Sequence, residues 1–264
     1  MKIPIAATLA LFAIAAPVLA TPLDVNIVVN GDAEAGAGGN GSVILAAPGW
    51  TPTANPTVVL YTAGGGFPDA TSPGPSPRGA NFFSGGPNTS PTVFSQVINI
   101  ADLVATPGLT YAFSGYIGGF ASQNDHVDAT ATFRDHNGAT LSTVTLPASL
   151  AADRGSVTGL LLRSASGAVP AGTESIVVAL NFIRTEGSYN DGYADSISLV
   201  LHAPPSCVGD LNNDHVINTL DLAKLLSSFG NSVPPNTLGD LNGDGVVNTV
   251  DLAKLLSKFG TTCP

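Results

Sequence analysis

Two stretches near the C-terminal end of the chain set oxygen-bearing side chains at a spacing that suits a hard metal ion. In a twelve-residue loop numbering, Asp210, Asn212, Asp214, Asn218 and Asp221 hold positions 1, 3, 5, 9 and 12 of the first stretch. Asp240, Asn242, Asp244, Asn248 and Asp251 hold the same positions of the second. Calcium takes about six to eight oxygens, and a tightly curled loop directs alternate side chains toward one centre. Position 7 supplies a backbone carbonyl, here from Val216 and Val246. Three carboxylates per loop set a formal −3 against the ion's +2, while the two asparagines add oxygen without adding repulsion. The chemistry implied is the binding of two calcium ions. Signatures of catalysis do not appear: there is no G-x-S-x-G, no H-E-x-x-H and no phosphate-binding loop.

Such loops need a turn at position 6 and a helix leaving position 12. Gly245 meets the first need with its freedom at positive φ, whereas His215 stands at that place in the first loop. Strain there costs about 1 kcal/mol, so the second loop is expected to bind more tightly. Each loop runs into LAKLLSSF or LAKLLSKF, which places Leu222, Leu225, Leu226 and Phe229, then Leu252, Leu255, Leu256 and Phe259, at helical spacing on one stripe. Gly230 and Gly260 follow as stops. Prolines upstream of each loop preclude an entering helix. The whole unit is duplicated: residues 209–230 and 239–260 agree at 17 of 22 positions. Short helices are unstable alone, so the two stripes are expected to pack about a pseudo-twofold axis.

Two copies of D-x-N-x-D-x-x-x-N-x-x-D-L, each with a short following helix and offset by 30 residues, resemble a dockerin domain, type I-like in its duplicated repeats. The resemblance implies calcium at the loop positions above and a cohesin-like protein module as partner. It further implies a partner-facing surface at the loop ends and helix starts, which by position is Thr219, Leu220 and Ser227, mirrored by Thr249, Val250 and Lys258. Leu220 and Val250 depart from the hydroxyl pairs common in such domains, which leaves two alternatives, an atypical partner or a calcium-stabilised terminal domain without one. Cys207 and Cys263 flank the duplicated unit, and a pseudo-twofold pair brings its outer ends together, so a disulfide is expected to close the module on itself.

The remainder reads differently. With 30 glycines, 20 prolines and only 11 % charged residues in 264, it suits many short strands joined by tight turns. β-branched or alternating runs fall at 27–30, 57–62, 92–100, 109–118, 127–133, 140–146, 157–162, 176–183 and 196–201, and 63–91 reads as mostly loop. This gives an antiparallel β-sandwich, jelly-roll-like, over 21–203, followed by a small all-α domain over 204–264. Met1-Lys2, an apolar run and Val18-Leu19-Ala20 form a signal peptide over 1–20, so the protein is expected to be secreted. A net charge of −10 with nine basic residues excludes nucleic acid and anionic membrane as natural partners.

The stretch Asn30-Gly31-Asp32-Ala33-Glu34 and the closing Asp195 before an alternating strand resemble the terminal strands of jelly-roll carbohydrate-binding modules of secreted bacterial proteins. That resemblance implies a structural calcium at Glu34 and Asp195. Polysaccharide binding needs exposed rings beside polar groups, and Trp50, Tyr116, Tyr189 and Tyr193 are the candidates. His126, His136 and His202 have no metal-ligand spacing and read as surface residues. Asp125, Asp128, Glu174 and Glu186 are the carboxylates from which a glycosidase pair would have to be drawn, and no pattern singles two of them out. Three functions therefore stand: a secreted non-catalytic binding protein with a docking tail, a polysaccharide-degrading enzyme carrying the same tail, and a structural envelope protein.

Overall fold

The computed structural model describes residues 20–87, 90–106, 108–203 and 207–263; the expected signal peptide lies almost wholly outside them. Ten strands fall between Thr51 and His202: β1 (Thr51–Thr53), β2 (Thr57–Leu60), β3 (Asn81–Pro87), β4 (Thr92–Asn99), β5 (Thr110–Gly119), β6 (His126–Arg134), β7 (Thr140–Thr145), β8 (Gly159–Ala168), β9 (Ser175–Ile183) and β10 (Tyr189–His202). They form two five-stranded sheets, ordered β1-β4-β9-β6-β7 and β2-β3-β10-β5-β8, with every pairing antiparallel. The expected β-sandwich is what the chain forms.

Alternation along the strands explains the layering. In β6 and β9 every second residue is buried, so one face of each strand enters the core and the other meets solvent. Phe94, Phe113, Phe133, Ile176, Val178, Leu180 and Phe182 meet between the sheets. Two expectations needed correction. β3 lies inside the stretch read as loop; its Ser-Gly-Gly segment has poor strand propensity, yet pairing to β2 and β10 on either side holds it in place. The run at 27–30 forms no strand. Instead Asn26 donates its amide to Ile197 O and accepts from Leu199 N, fixing the N-terminal segment beside the second half of β10.

The loop rich in Gly and Pro that precedes β3 covers the other face of its sheet. Tyr61, Phe82, Leu160 and Tyr193 form a second apolar cluster there, with Phe67, Tyr116 and Phe120 packed against it.

In the tail, α1 (Thr219–Ser227) and α2 (Thr249–Leu256) follow the two loops. Their small core consists of Ile217, Leu225, Val247 and Leu255. The helix stripes are narrower than expected, because Leu226 and Leu256 are 50 % and 51 % exposed and Phe229 and Phe259 are exposed as well. Ile217 and Val247, at loop position 8, take the places those residues leave. Among the described residues no helix is long and apolar enough to cross a membrane.

Candidate functional site

The sandwich distributes its aromatic candidates unequally. Trp50, expected among the ligand-facing rings, lies in the core at 6 % exposure, edge-on to Phe83 and Phe94, and donates its indole N–H to Asn30 O. Tyr116 packs half-buried on the second cluster. Tyr189 and Tyr193 border, with Phe67, Phe120 and Asp191, a cavity of about 500 Å3, but Tyr193, expected among the ligand-facing rings, is fully buried in the second cluster and backs the wall rather than facing a ligand. Asp191 and both phenylalanines escape a reading of the sequence alone, because they reach the cavity from separate loops and the start of β10.

Asp195 sits at a register shift of β10 and is buried. Its carboxylate accepts from Tyr61 Oη at 2.7 Å and from Ser196 N at 2.5 Å. Burial pushes its carboxyl up to about 7 despite these bonds, and the charge of Glu34 adds to the rise. Glu34 itself accepts from Asn81 N at 2.7 Å. Because the folded-state pKa lies above the unfolded value of 3.8, Asp195 favours folding most below about pH 4 and loses that contribution as pH rises through about 7. The loss approaches about 4 kcal/mol. In ion-free protein the sandwich melting temperature, followed by Trp50 fluorescence, should fall between pH 4 and 8 relative to Asp195→Asn. A difference that grows in the opposite direction would contradict this account of the site.

The other polar candidates have separate partners. Asp125 is fully buried and accepts from Thr185 N, Glu186 N and Asp191 N, which makes it a loop anchor. Asp128 lies 3.7 Å from His126, Glu174 3.1 Å from His136, and Asp24 2.7 Å from His202.

In the tail the two loops repeat one local design. Position 9 caps the helix: Asn218 Oδ1 accepts from Leu220 N and Asn248 Oδ1 from Val250 N, both at 2.7 Å. Position 12 answers it, since Asp221 and Asp251 accept from Asn218 N and Asn248 N at 2.8 Å, completing a capping box. The same carboxylates also accept across the loop, Asp221 from Leu211 N and Asn212 N, and Asp251 from Leu241 N and Asn242 N. Both are fully buried. The expected turn residues adopt positive φ, +67° at His215 and +82° at Gly245.

The donor chemistry fits a hard cation. Carboxylate oxygens of Asp210, Asp214 and Asp221 all lie within 4.8 Å of one another. The amide of Asn212, donating at 2.7 Å, holds the Asp214 carboxyl below its usual range and so keeps it ionised. Each loop is fastened by the segment that leaves the opposite helix. Gly260 N and Cys263 N donate to Ile217 O and His215 O, while Gly230 N and Val233 N donate to Val247 O and Gly245 O. A disulfide joins Cys207 and Cys263, with Cα atoms 5.8 Å apart.

Compared with known families, residues 208–259 match the dockerin type I domain. This segment is a dockerin. Among solved structures it is similar to the type II cohesin-dockerin domain from Bacteroides cellolosolvens, at 43 % identity, covering 22 % of this chain and 92 % of that one with a TM-score of 0.20. The sandwich region is similar to the CBM22-1 xylan-binding domain from Paenibacillus barcinonensis, at 15 % identity, 60 % and 88 % coverage and a TM-score of 0.37. It is also similar to a family 16 carbohydrate-binding module, at 19 % identity, 66 % and 99 % coverage and a TM-score of 0.37. No curated protein matches the chain.

On the dockerin, Thr219, Leu220 and Ser227 are exposed, as are Thr249, Val250 and Lys258. Leu226, Phe229, Leu256 and Phe259, which the helical periodicity alone had assigned to the core, are exposed as well.

Proposed function

We propose that the protein is a secreted, non-catalytic accessory protein whose dockerin, with calcium in both loops, docks onto a cohesin-type module. The sandwich of residues 21–203 holds a polysaccharide or similar surface. The reading rests above all on the dockerin's duplicated loops, in which the residues at positions 9 and 12 cap the helix and, in the first loop, carboxylate oxygens of Asp210, Asp214 and Asp221 lie within 4.8 Å of one another. In the first loop Asp210, Asn212, Asp214, Asn218, Asp221 and the Val216 carbonyl hold the ion; in the second Asp240, Asn242, Asp244, Asn248, Asp251 and the Val246 carbonyl do so. Bound calcium supplies the positive charge that makes three facing carboxylates tolerable. Glu34 and Asp195 together hold a structural cation in the sandwich, which offsets the burial of the Asp195 carboxylate.

Docking draws on the mirrored surface residues, with Leu220 and Val250 providing apolar contact where a partner site is desolvated. Calorimetry of the intact chain against type I and type II cohesin modules, with calcium and with chelator, tests this. Binding to one type that vanishes on chelation is the expected outcome. Failure to bind either type with calcium present would refute docking and leave a calcium-stabilised terminal domain.

A further inference from the structure

The aromatic cavity beside β10 contains more than the stacking surface a neutral sugar needs. Phe67 stands near-perpendicular to both tyrosines, with ring centroids 5.3 Å from Tyr189 at 74° and 5.9 Å from Tyr193 at 62°. Phe120 lines the same space, and Asn40 and Ser42 supply polar groups at its exposed side. Gly41 and Gly66 have positive φ, and a Cβ at either would press on the Phe67 or Phe120 ring, so glycine lets these loops close onto the aromatic walls.

Among the described residues lining this open, largely apolar cavity there is one carboxylate. Asp191 Oδ1 accepts from Tyr193 Oη at 2.6 Å, and its backbone N–H is held by Asp125 at 2.9 Å. Its Oδ2 has no hydrogen-bond donor among the described residues, and no basic residue lines the cavity. The nearby arginines serve carbonyls instead: Arg154 donates to Gly119 O and Val157 O at 2.7 Å and to Gln123 O at 2.9 Å, and Arg184 donates to Ser188 O at 3.0 Å. Burial and the neighbouring Asp125 charge both raise the Asp191 carboxyl above its ordinary range. A hydroxyl ligand would give this group a hydrogen bond but leave its charge uncompensated. An ammonium would give charge-assisted hydrogen bonds and favourable contact with the ring faces.

We infer that this cavity binds an amino-sugar residue with a free, protonated amine, its ammonium on Asp191 and its ring against Phe67, Phe120 and Tyr189. The inference rests on the carbohydrate reading of the sandwich and specifies its ligand. A volume of about 500 Å3 exceeds the needs of a bare ammonium group and falls within the roughly 300–1,000 Å3 of small-molecule sites. The net charge of −10 favours cationic polymers before contact is made.

Calorimetry of the intact protein with glucosamine hexamer, N-acetylglucosamine hexamer and cellohexaose tests the inference, with Asp191→Asn and Phe120→Ala as variants whose Trp50 fluorescence reports that the sandwich is folded. The expected result is binding of the glucosamine hexamer about tenfold or more tighter than either neutral oligomer. Asp191→Asn should remove that preference while Phe120→Ala weakens binding overall. Equal affinity for the neutral oligomers would overturn the amine assignment and leave the carbohydrate reading standing. A preference unchanged in Asp191→Asn would show general charge attraction and also overturn it. Binding of none of the three oligomers would overturn the amine assignment, and the carbohydrate reading then stands or falls on a wider glycan panel.

Discussion

Asp251→Ala should unfold the dockerin even in millimolar calcium. The side chain is fully buried and accepts from Leu241 N, Asn242 N and Asn248 N. Removing it strands those donors, and each unpaired donor costs about 1–3 kcal/mol. A domain this small rarely draws more than about 3–5 kcal/mol from its core. Loss of an oxygen proposed to hold calcium comes on top of that, because ion binding and folding are coupled in loops of this kind. Circular dichroism should show loss of the helical signal, with no recovery on calcium addition. Since the chain has a single Trp and Trp50 lies in the sandwich, unchanged Trp fluorescence confines the damage to the tail. Asp221→Ala should behave alike. A variant that still gains helix with calcium would mean that position 12 is not the junction between ion and fold.

Replacing both Cys207 and Cys263 with serine should remove most of what stability the tail has without calcium. The bridge spans 56 residues, and releasing a loop of that length costs roughly 4 kcal/mol in the unfolded-chain model. Its effect should be uneven. Cys207 O accepts from Asp210 N, and Cys263 N donates to His215 O, so both ends hold the first loop, while the second is fastened by residues 230–233. Calcium titration of the double variant, followed by amide resonances of Gly239 to Asp251 and of Gly209 to Asp221, should show the larger affinity loss in the first loop. Equal losses would mean that the bridge stabilises the domain as a whole rather than this loop.

These contrasts also show where sequence was sufficient. The dockerin loops were legible because such a loop is a local object: the proposed ligands, turn and helix cap fall within a dozen residues, and Asp210, Asn212 and Asp214 alternate with other residues wherever the fold places them. The sandwich was legible as a class for a similar reason, since strands such as Ala129–Phe133 alternate at period two. What escaped depends on distant partners. β3 exists because β2 and β10 pair with it. Trp50 is a core residue because Phe83 and Phe94, more than thirty positions away, close around it. Leu226 and Phe229 keep helical periodicity, but their burial was taken by Ile217 and Val247 from the loops. The cavity at Asp191 is assembled from five separated segments, and no spacing within one of them announces it.

Isothermal titration of chelator-treated intact protein with calcium reads out whether ions organise the tail. Uptake of two ions per chain is expected, accompanied by a gain of helical signal and a higher melting temperature for the dockerin transition. A chain that takes up no calcium, or whose tail is equally folded and equally stable without it, would contradict the account.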